Sequence, residues 1–106
     1  MNIYRSHNCN ELRINSVGSD VILSGWVNKK RDHGNLLFID LRDNYGITQC
    51  IIDKENSNFK ELEKMQLETV IRIEGKVVNR SKETINNEIK TGEIEVRIKK
   101  FKVLGV

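Results

Sequence analysis

The stretch Val21-Ile22-Leu23-Ser24-Gly25-Trp26-Val27-Asn28, followed after a charged turn by Leu37-Phe38-Ile39-Asp40-Leu41-Arg42, decides the fold. In the first segment Val21, Leu23, Gly25 and Val27 alternate with Ile22, Ser24, Trp26 and Asn28. In the second, Leu37, Ile39 and Leu41 alternate with Phe38, Asp40 and Arg42. A period of two belongs to a strand with one buried face. Working outward, residues 47–52 read as a third strand. Ile71, Ile73, Gly75 and Val77 set the phase of a fourth, and Ile94, Val96 and Ile98 that of a fifth. Phe101 and Val103 fall in the opposite phase, so a bulge near Lys99 and Lys100 is expected to return them to the core side.

The connections complete the pattern. Asp32-His33-Gly34-Asn35 and Asn44-Tyr45-Gly46 are short and contain glycine, as hairpin turns do. Between the third and fourth strands Phe59, Leu62 and Met65 recur every three residues, and Asn58 with Glu61 has the spacing of a capping box. That predicts a short helix, and residues 8–12 predict a further helical turn. The polar residues 79–92 read as a long loop before the last strand. An all-β, five-stranded Greek-key barrel with a short helix between strands three and four is the OB-fold. An SH3-like barrel has the same strand number, but the helix position favours the OB arrangement.

The chain has 106 residues, enough for one domain, so 1–106 is read as a single unit. Its 18 Lys and Arg against 15 Asp and Glu give a net charge of +3, which permits a polyanionic partner without demanding one. The clusters Lys29-Lys30-Arg31 and Arg97, Lys99, Lys100, Lys102 are more telling than the total, although either also suits a solvated strand end. No apolar run nears the ~20 residues of a membrane span. Cys9 and Cys50 cannot form a disulfide framework and neither lies in a Cys-x-x-Cys pair, so structural zinc is not expected. Both read as small packing residues. There is no Ser-His-Asp set, phosphate-binding loop or dinucleotide fingerprint. Asp40 and Asp43 fall on opposite faces of a strand and make a poor acid–base pair. The pattern points to a binding module rather than a catalytic centre.

OB barrels bind oligonucleotides or oligosaccharides on the face of strands two and three. Phe38, on the polar face of strand two, is a candidate stacking platform, with packing under another segment as its alternative role. Gln49 offers both a donor and an acceptor for a base edge. Lys29, Lys30 and Arg31 stand where the first strand enters its loop. Alternation sends them to opposite sides, so two of the three would meet a phosphate backbone. Arg80 and Asn86 in the long loop could add polar contacts. The lone Trp26 reads as core.

Together these residues carry a family resemblance. The segment Gly25-Trp26-Val27-Asn28-Lys29-Lys30-Arg31-Asp32-His33-Gly34 with Phe38-Ile39-Asp40-Leu41-Arg42-Asp43 resembles the start of bacterial aspartyl-tRNA synthetases. The opening Arg5-Ser6-His7-Asn8-Cys9-Asn10-Glu11-Leu12-Arg13, Gly46-Ile47-Thr48-Gln49 and Thr91-Gly92-Glu93-Ile94-Glu95-Val96 extend the likeness over essentially the whole chain.

The resemblance implies an N-terminal OB domain that grips the anticodon loop of tRNA(Asp), with the question of tRNA(Asn) left open. A class II catalytic domain would follow, using ATP and Mg2+ to attach aspartate, in a cytoplasmic enzyme acting as a homodimer. None of the catalytic motifs occurs in this sequence, which stops where the family's linker would begin, so an excised and catalytically inactive domain is expected. By the same resemblance Phe38 stacks on an anticodon base, Gln49 reads the middle base of GUC, and Arg31 lies beside it. Arg80 and Asn86 lie near the anticodon, and Glu95 near its first base. His33 matches a position where histidine accompanies enzymes that also charge tRNA(Asn) and leucine accompanies strict ones. Glu83 occupies a second such position, where relaxed enzymes usually carry glycine. Lys29 and Lys30 replace common family arginines, which keeps charge but loses the planar fork. A generic single-stranded nucleic-acid binder is the alternative, and a purely structural module the third reading.

Overall fold

A computed structural model describes residues 5–105; residues 1–4 and 106, the ends of the expected unit, lie outside them. Five strands close into a barrel in the order β1-β2-β3-β5-β4. They are β1 (Asp20–Asp32), β2 (Leu36–Arg42), β3 (Ile47–Asp53), β4 (Val70–Asn79) and β5 (Ile94–Gly105), with helix α1 (Phe59–Lys64) between β3 and β4. All neighbours pair antiparallel except β3 and β5, which run parallel through Cys50 opposite Val96 and Ile51 opposite Arg97. The OB-fold expectation holds.

The period-two apolar positions form the core. Val21, Leu23 and Val27 of β1 meet Leu37, Ile39 and Leu41 of β2 and Ile71, Ile73 and Val77 of β4, all buried. Phe59 and Leu62 of α1 add to it, with Met65 partly buried beside them, as the threefold spacing requires. Cys9 and Leu12 enter from the N-terminal segment. Gly25 and Gly75 permit close strand approach: a Cβ at either position would lie 2.3 Å from a carbonyl oxygen, that of Arg42 or Arg97.

Both hairpin turns are built by an aspartate side chain. The Asp32 carboxylate accepts the Gly34 N–H at 2.9 Å, and Gly34 takes φ +75°. The Asp43 carboxylate accepts the Tyr45 and Gly46 N–H groups at 2.8 and 3.1 Å. These Asx turns hold the chain reversals between β1, β2 and β3.

Three local expectations are corrected. Asn58 precedes α1 but makes no side-chain cap. Its amide instead donates to the Lys99 carbonyl at 3.3 Å, tying the helix start to β5. Residues 8–12 form a turn held by Asn8 Oδ1 and Glu11 Oε1, and the first helical turn falls later, at Ile14–Ser16. Trp26 is half-buried on the outer face, opposite Val70 and Arg42, because it is out of phase with Val27. The bulge in β5 is present: Glu74 faces Lys100 while Gly75 faces Ile98, leaving Lys99 as the extra residue. Phe101 regains the core side, but Val103 stays 42% exposed near the strand's end.

Candidate nucleic-acid interface

A second bulge positions the site. Val27 pairs with Leu41 and Lys29 with Asp40, so Asn28 is the extra residue in β1. Without it, Lys29 and Arg31 would share the inward phase of Val27. With it, Arg31 stands opposite Phe38, and Lys29 opposite Asp40, on the outer face. Lys30 pairs with Ile39 on the other side.

Arg31 and Phe38 open onto a cleft of about 380 Å3. Its walls also include His33 from the β1–β2 turn, Asp40 and Gln49 from β2 and β3, and Arg80, Thr84, Asn86 and Ile89 from the β4–β5 loop, with Ile47 at its edge. The Phe38 ring lines this open cleft. His33 meets it edge-on, with centroids 5.0 Å apart and planes at 78°.

The floor is a chain of charge-assisted hydrogen bonds. Arg31 Nη1 and Nη2 donate to the two Asp40 carboxylate oxygens at 3.2 and 3.4 Å. Arg31 Nη2 also donates to Gln49 Oε1 at 2.8 Å, and Gln49 Nε2 donates to Glu95 Oε1 at 2.8 Å. Gln49 is 3% exposed and Glu95 7%, so both lie largely beneath the surface, and these two bonds leave Gln49 one acceptor lone pair and one N–H. Arg80, 8% exposed, staples the loop. Its Nε donates to the Ile94 carbonyl at 2.9 Å and its Nη1 to the Thr84 carbonyl at 2.8 Å. Burial lowers the Arg80 pKa, and the charges of Glu95 and Asp40 oppose that shift. Arg31 and Arg80 thus balance Asp40 in the cleft and Glu95 beneath it, while exposed Lys29 stands opposite Asp40 in the β1–β2 register.

The expected site residues divide clearly. Arg31, His33, Phe38, Gln49, Arg80 and Asn86 converge on the cleft, and Glu95 holds Gln49 from below. Glu83 sits exposed in the turn Lys82–Thr84, next to the lining residue Thr84. Lys30 does not reach the cleft. Its Nζ donates to the carbonyls of Leu62 at 3.3 Å and Glu63 at 2.8 Å, and to that of Met65. That makes it the C-terminal cap of α1, and the expected phosphate role is corrected accordingly. Burial lowers its pKa, partly offset by Glu63. Asp40 was missed as a site residue, although its shared face with Phe38 signalled it. Ile47, Thr84 and Ile89 carry no signal in the sequence, since loop folding alone brings them in.

Cys9 and Cys50 are both fully buried, and burial, more than any neighbouring charge, pushes both thiols up. That suits packing residues rather than nucleophiles.

The chain has counterparts among known proteins. The family of OB-fold nucleic-acid-binding domains named for the tRNA anticodon matches residues 21–104. The aspartate–tRNA(Asp/Asn) ligase of Pelagibacter ubique (strain HTCC1062) is 72% identical over 105 residues, covering 99% of this chain and 18% of that protein. The enzyme of the same name from Paramagnetospirillum magneticum is 52% identical over 106 residues, covering 100% of this chain and 12% of that protein. The asparaginyl-tRNA synthetase of Pyrococcus horikoshii, solved with asparaginyl-adenylate, superposes with a TM-score of 0.78 at 26% identity, over 94% of this chain and 22% of that one. The chain spans less than one fifth of the length of these two ligases. With the barrel, the cleft and the family match in agreement, the chain belongs to the tRNA-anticodon family of OB-fold nucleic-acid-binding domains.

Proposed function

We propose that residues 1–106 form the anticodon-binding module of an aspartate–tRNA ligase and hold the GUC loop of tRNA(Asp) in the cleft between β2, β3 and the β4–β5 loop. The observation that carries this reading is an aromatic ring set beside a fixed Arg31–Gln49–Glu95 network. A splayed base stacks on Phe38, which is worth ~1–3 kcal/mol. Gln49 meets a base edge, with Arg31 beside it. Asn86 and Arg80 bring the loop over the neighbouring nucleotides, and Lys29 meets phosphate. Glu95 acts through Gln49.

The same cleft accepts the GUU loop of tRNA(Asn), which differs in its last base. Two observations support this relaxed reading. His33 borders the cleft against Phe38, and the two ligases compared above carry Asp/Asn in their names. Glu83, exposed outside the cleft, does not oppose it.

The aspartate chemistry belongs to the part of such a ligase that this chain does not span. ATP and Mg2+ would serve there, in a cytoplasmic homodimer. Among the described residues no group of three or more His, Cys, Asp or Glu could hold a metal ion.

Titration of the chain with anticodon stem-loops carrying GUC, GUU and a scrambled triplet tests the reading. GUC and GUU are expected to bind within a few-fold of each other and about tenfold or more above the scrambled loop. Equal affinity for all three would identify a generic single-strand binder, and no binding at low salt a structural module.

A further inference from the structure

The basic cluster of β5 does not line the cleft, yet the strand register carries it to the cleft's edge. Phe38 pairs with Ile51, Ile51 with Arg97, and Arg97 with Lys76. One row therefore runs around the outside of the barrel from the ring, across β3 and β5, to β4. Neighbouring strands lie about 4.8 Å apart, which sets Arg97 about 10 Å and Lys76 about 14 Å from Phe38 along the sheet. Ile51 is out of phase with the core residues Cys50 and Ile52, so no charged group interrupts the row between the ring and Arg97.

Arg97 and Lys76 are like charges directly opposite each other, an arrangement that costs a sheet stability. Neither is firmly neutralised. Arg97 Nη1 meets Asp53 Oδ2 at 2.6 Å, but the two side chains are 48% and 47% exposed, and such surface pairs contribute little. Lys76 is exposed and has no hydrogen bond or ion pair among the described residues. Its other neighbour in the register, Asp20, holds Lys99 at 3.3 Å instead.

We propose that Arg97 and Lys76 form a track for phosphodiester groups, which holds the RNA backbone where the strand leaves the cleft past Ile51. The track lies outside the cleft and reads no base. It needs RNA in the cleft, and so rests on that part of the reading above, but it needs no particular triplet. A chain of phosphates suits the site because its charge repeats, as the cations do from strand to strand. The guanidinium can take two oxygens of one phosphate, and the ammonium acts on the next as a point charge. Each phosphate also relieves the repulsion between Arg97 and Lys76, which an uncharged ligand would leave in place. Glu95 does not compete, since it lies buried against Gln49. Asp53 does, but its exposed pair with Arg97 can exchange for a phosphate at little cost. Asp20 ends the row on the far side of Lys76.

The test titrates the 106-residue chain with GUC and scrambled anticodon stem-loops across a range of salt. Lys76→Gln, Arg97→Gln and their combination are compared with Lys60→Gln, which removes the same charge from the exposed face of α1. Each track variant is expected to reduce the slope of log affinity against log salt by ~0.7–0.9, and the combination by about twice that, with both loops. The preference for GUC over the scrambled loop should not move, because phosphate contacts carry no sequence information. Lys76→Gln removes a repulsion and no partner, so its melting temperature should equal or exceed that of the wild type. It carries the test if Arg97→Gln does not fold. The proposal is overturned if the folded variants keep the wild-type slope, or if Lys60→Gln lowers the slope as much, which would reveal a diffuse effect of net charge. A reduced slope in a chain that binds both loops alike would support the track and remove the anticodon reading. Absence of RNA binding at low salt would remove both.

Discussion

Arg31 and Phe38 stand opposite each other in the β1–β2 register, with the guanidinium carbon 5.9 Å from the ring centroid. A single unpaired residue, Asn28, makes that pairing possible by reversing the phase of β1. Stacking surface and hydrogen-bond donor thus sit on adjacent strands of a closed barrel. They are held before any ligand arrives, which lowers the ordering cost of binding.

Phe38→Ala is expected to weaken binding of a GUC stem-loop by ~1–3 kcal/mol. The ring borders an open cleft, so thermal stability should change much less than affinity. Parallel titration and melting of the variant check this. Unchanged affinity would remove the stacking role.

Lys30 and Lys29 are expected to part company. Lys30→Ala uncaps α1 by deleting an ammonium bound to three carbonyls, and should cost ~1 kcal/mol of stability while leaving the salt dependence of RNA binding alone. Lys29→Ala should leave stability alone and reduce the slope of log affinity against log salt by ~1. Denaturant unfolding and titration across salt separate the two.

Gly92→Ala should disturb the loop that carries Asn86. A Cβ at position 92 would fall 1.6 Å from the Asn86 carbonyl oxygen, which no side-chain adjustment relieves. The Gly92 carbonyl also accepts the Asn86 N–H at 3.0 Å. Lower stability and weaker GUC binding are expected together, measured by melting and titration.

Stability should fall at alkaline pH through the two thiols. Each is pushed above its ordinary value of 9.0 when folded, so above that pH the unfolded chain gives up protons the folded chain keeps. With fewer protons bound in the unfolded state, the free energy of unfolding declines as pH rises. The decline approaches ~1.4 kcal/mol per pH unit for each thiol well above pH 9. Denaturant unfolding of the wild type and Cys50→Ala between neutral and alkaline pH should show the smaller decline in the variant. Equal declines would contradict the assignment.

Much of the barrel was legible because period-two alternation in β1, β2, β4 and β5 coincides with the buried set. The bulge at Lys99 was legible too, because Phe101 fell out of phase. The bulge at Asn28 was not. The residues after it are charged, so no apolar position betrays the change of phase. For the same reason the sequence could not sort Lys29, Lys30 and Arg31. Lys30 acts on the C-terminus of α1, more than thirty residues away, and only the packed helix reveals it. Glu95 alternates with buried Ile94 and Val96 and therefore reads as solvent-facing. It is buried because the β4–β5 loop, anchored by Arg80, folds over that face.

The most direct test of RNA reading at this cleft is an NMR titration of the chain with a GUC anticodon stem-loop, following the Phe38 ring protons and the Gln49 side-chain amide. The account predicts upfield ring-current shifts at Phe38 and a large shift of the Gln49 amide, saturating together with binding. Saturable binding that leaves both groups unmoved and shifts residues of α1 or the outer face of β4 would contradict it.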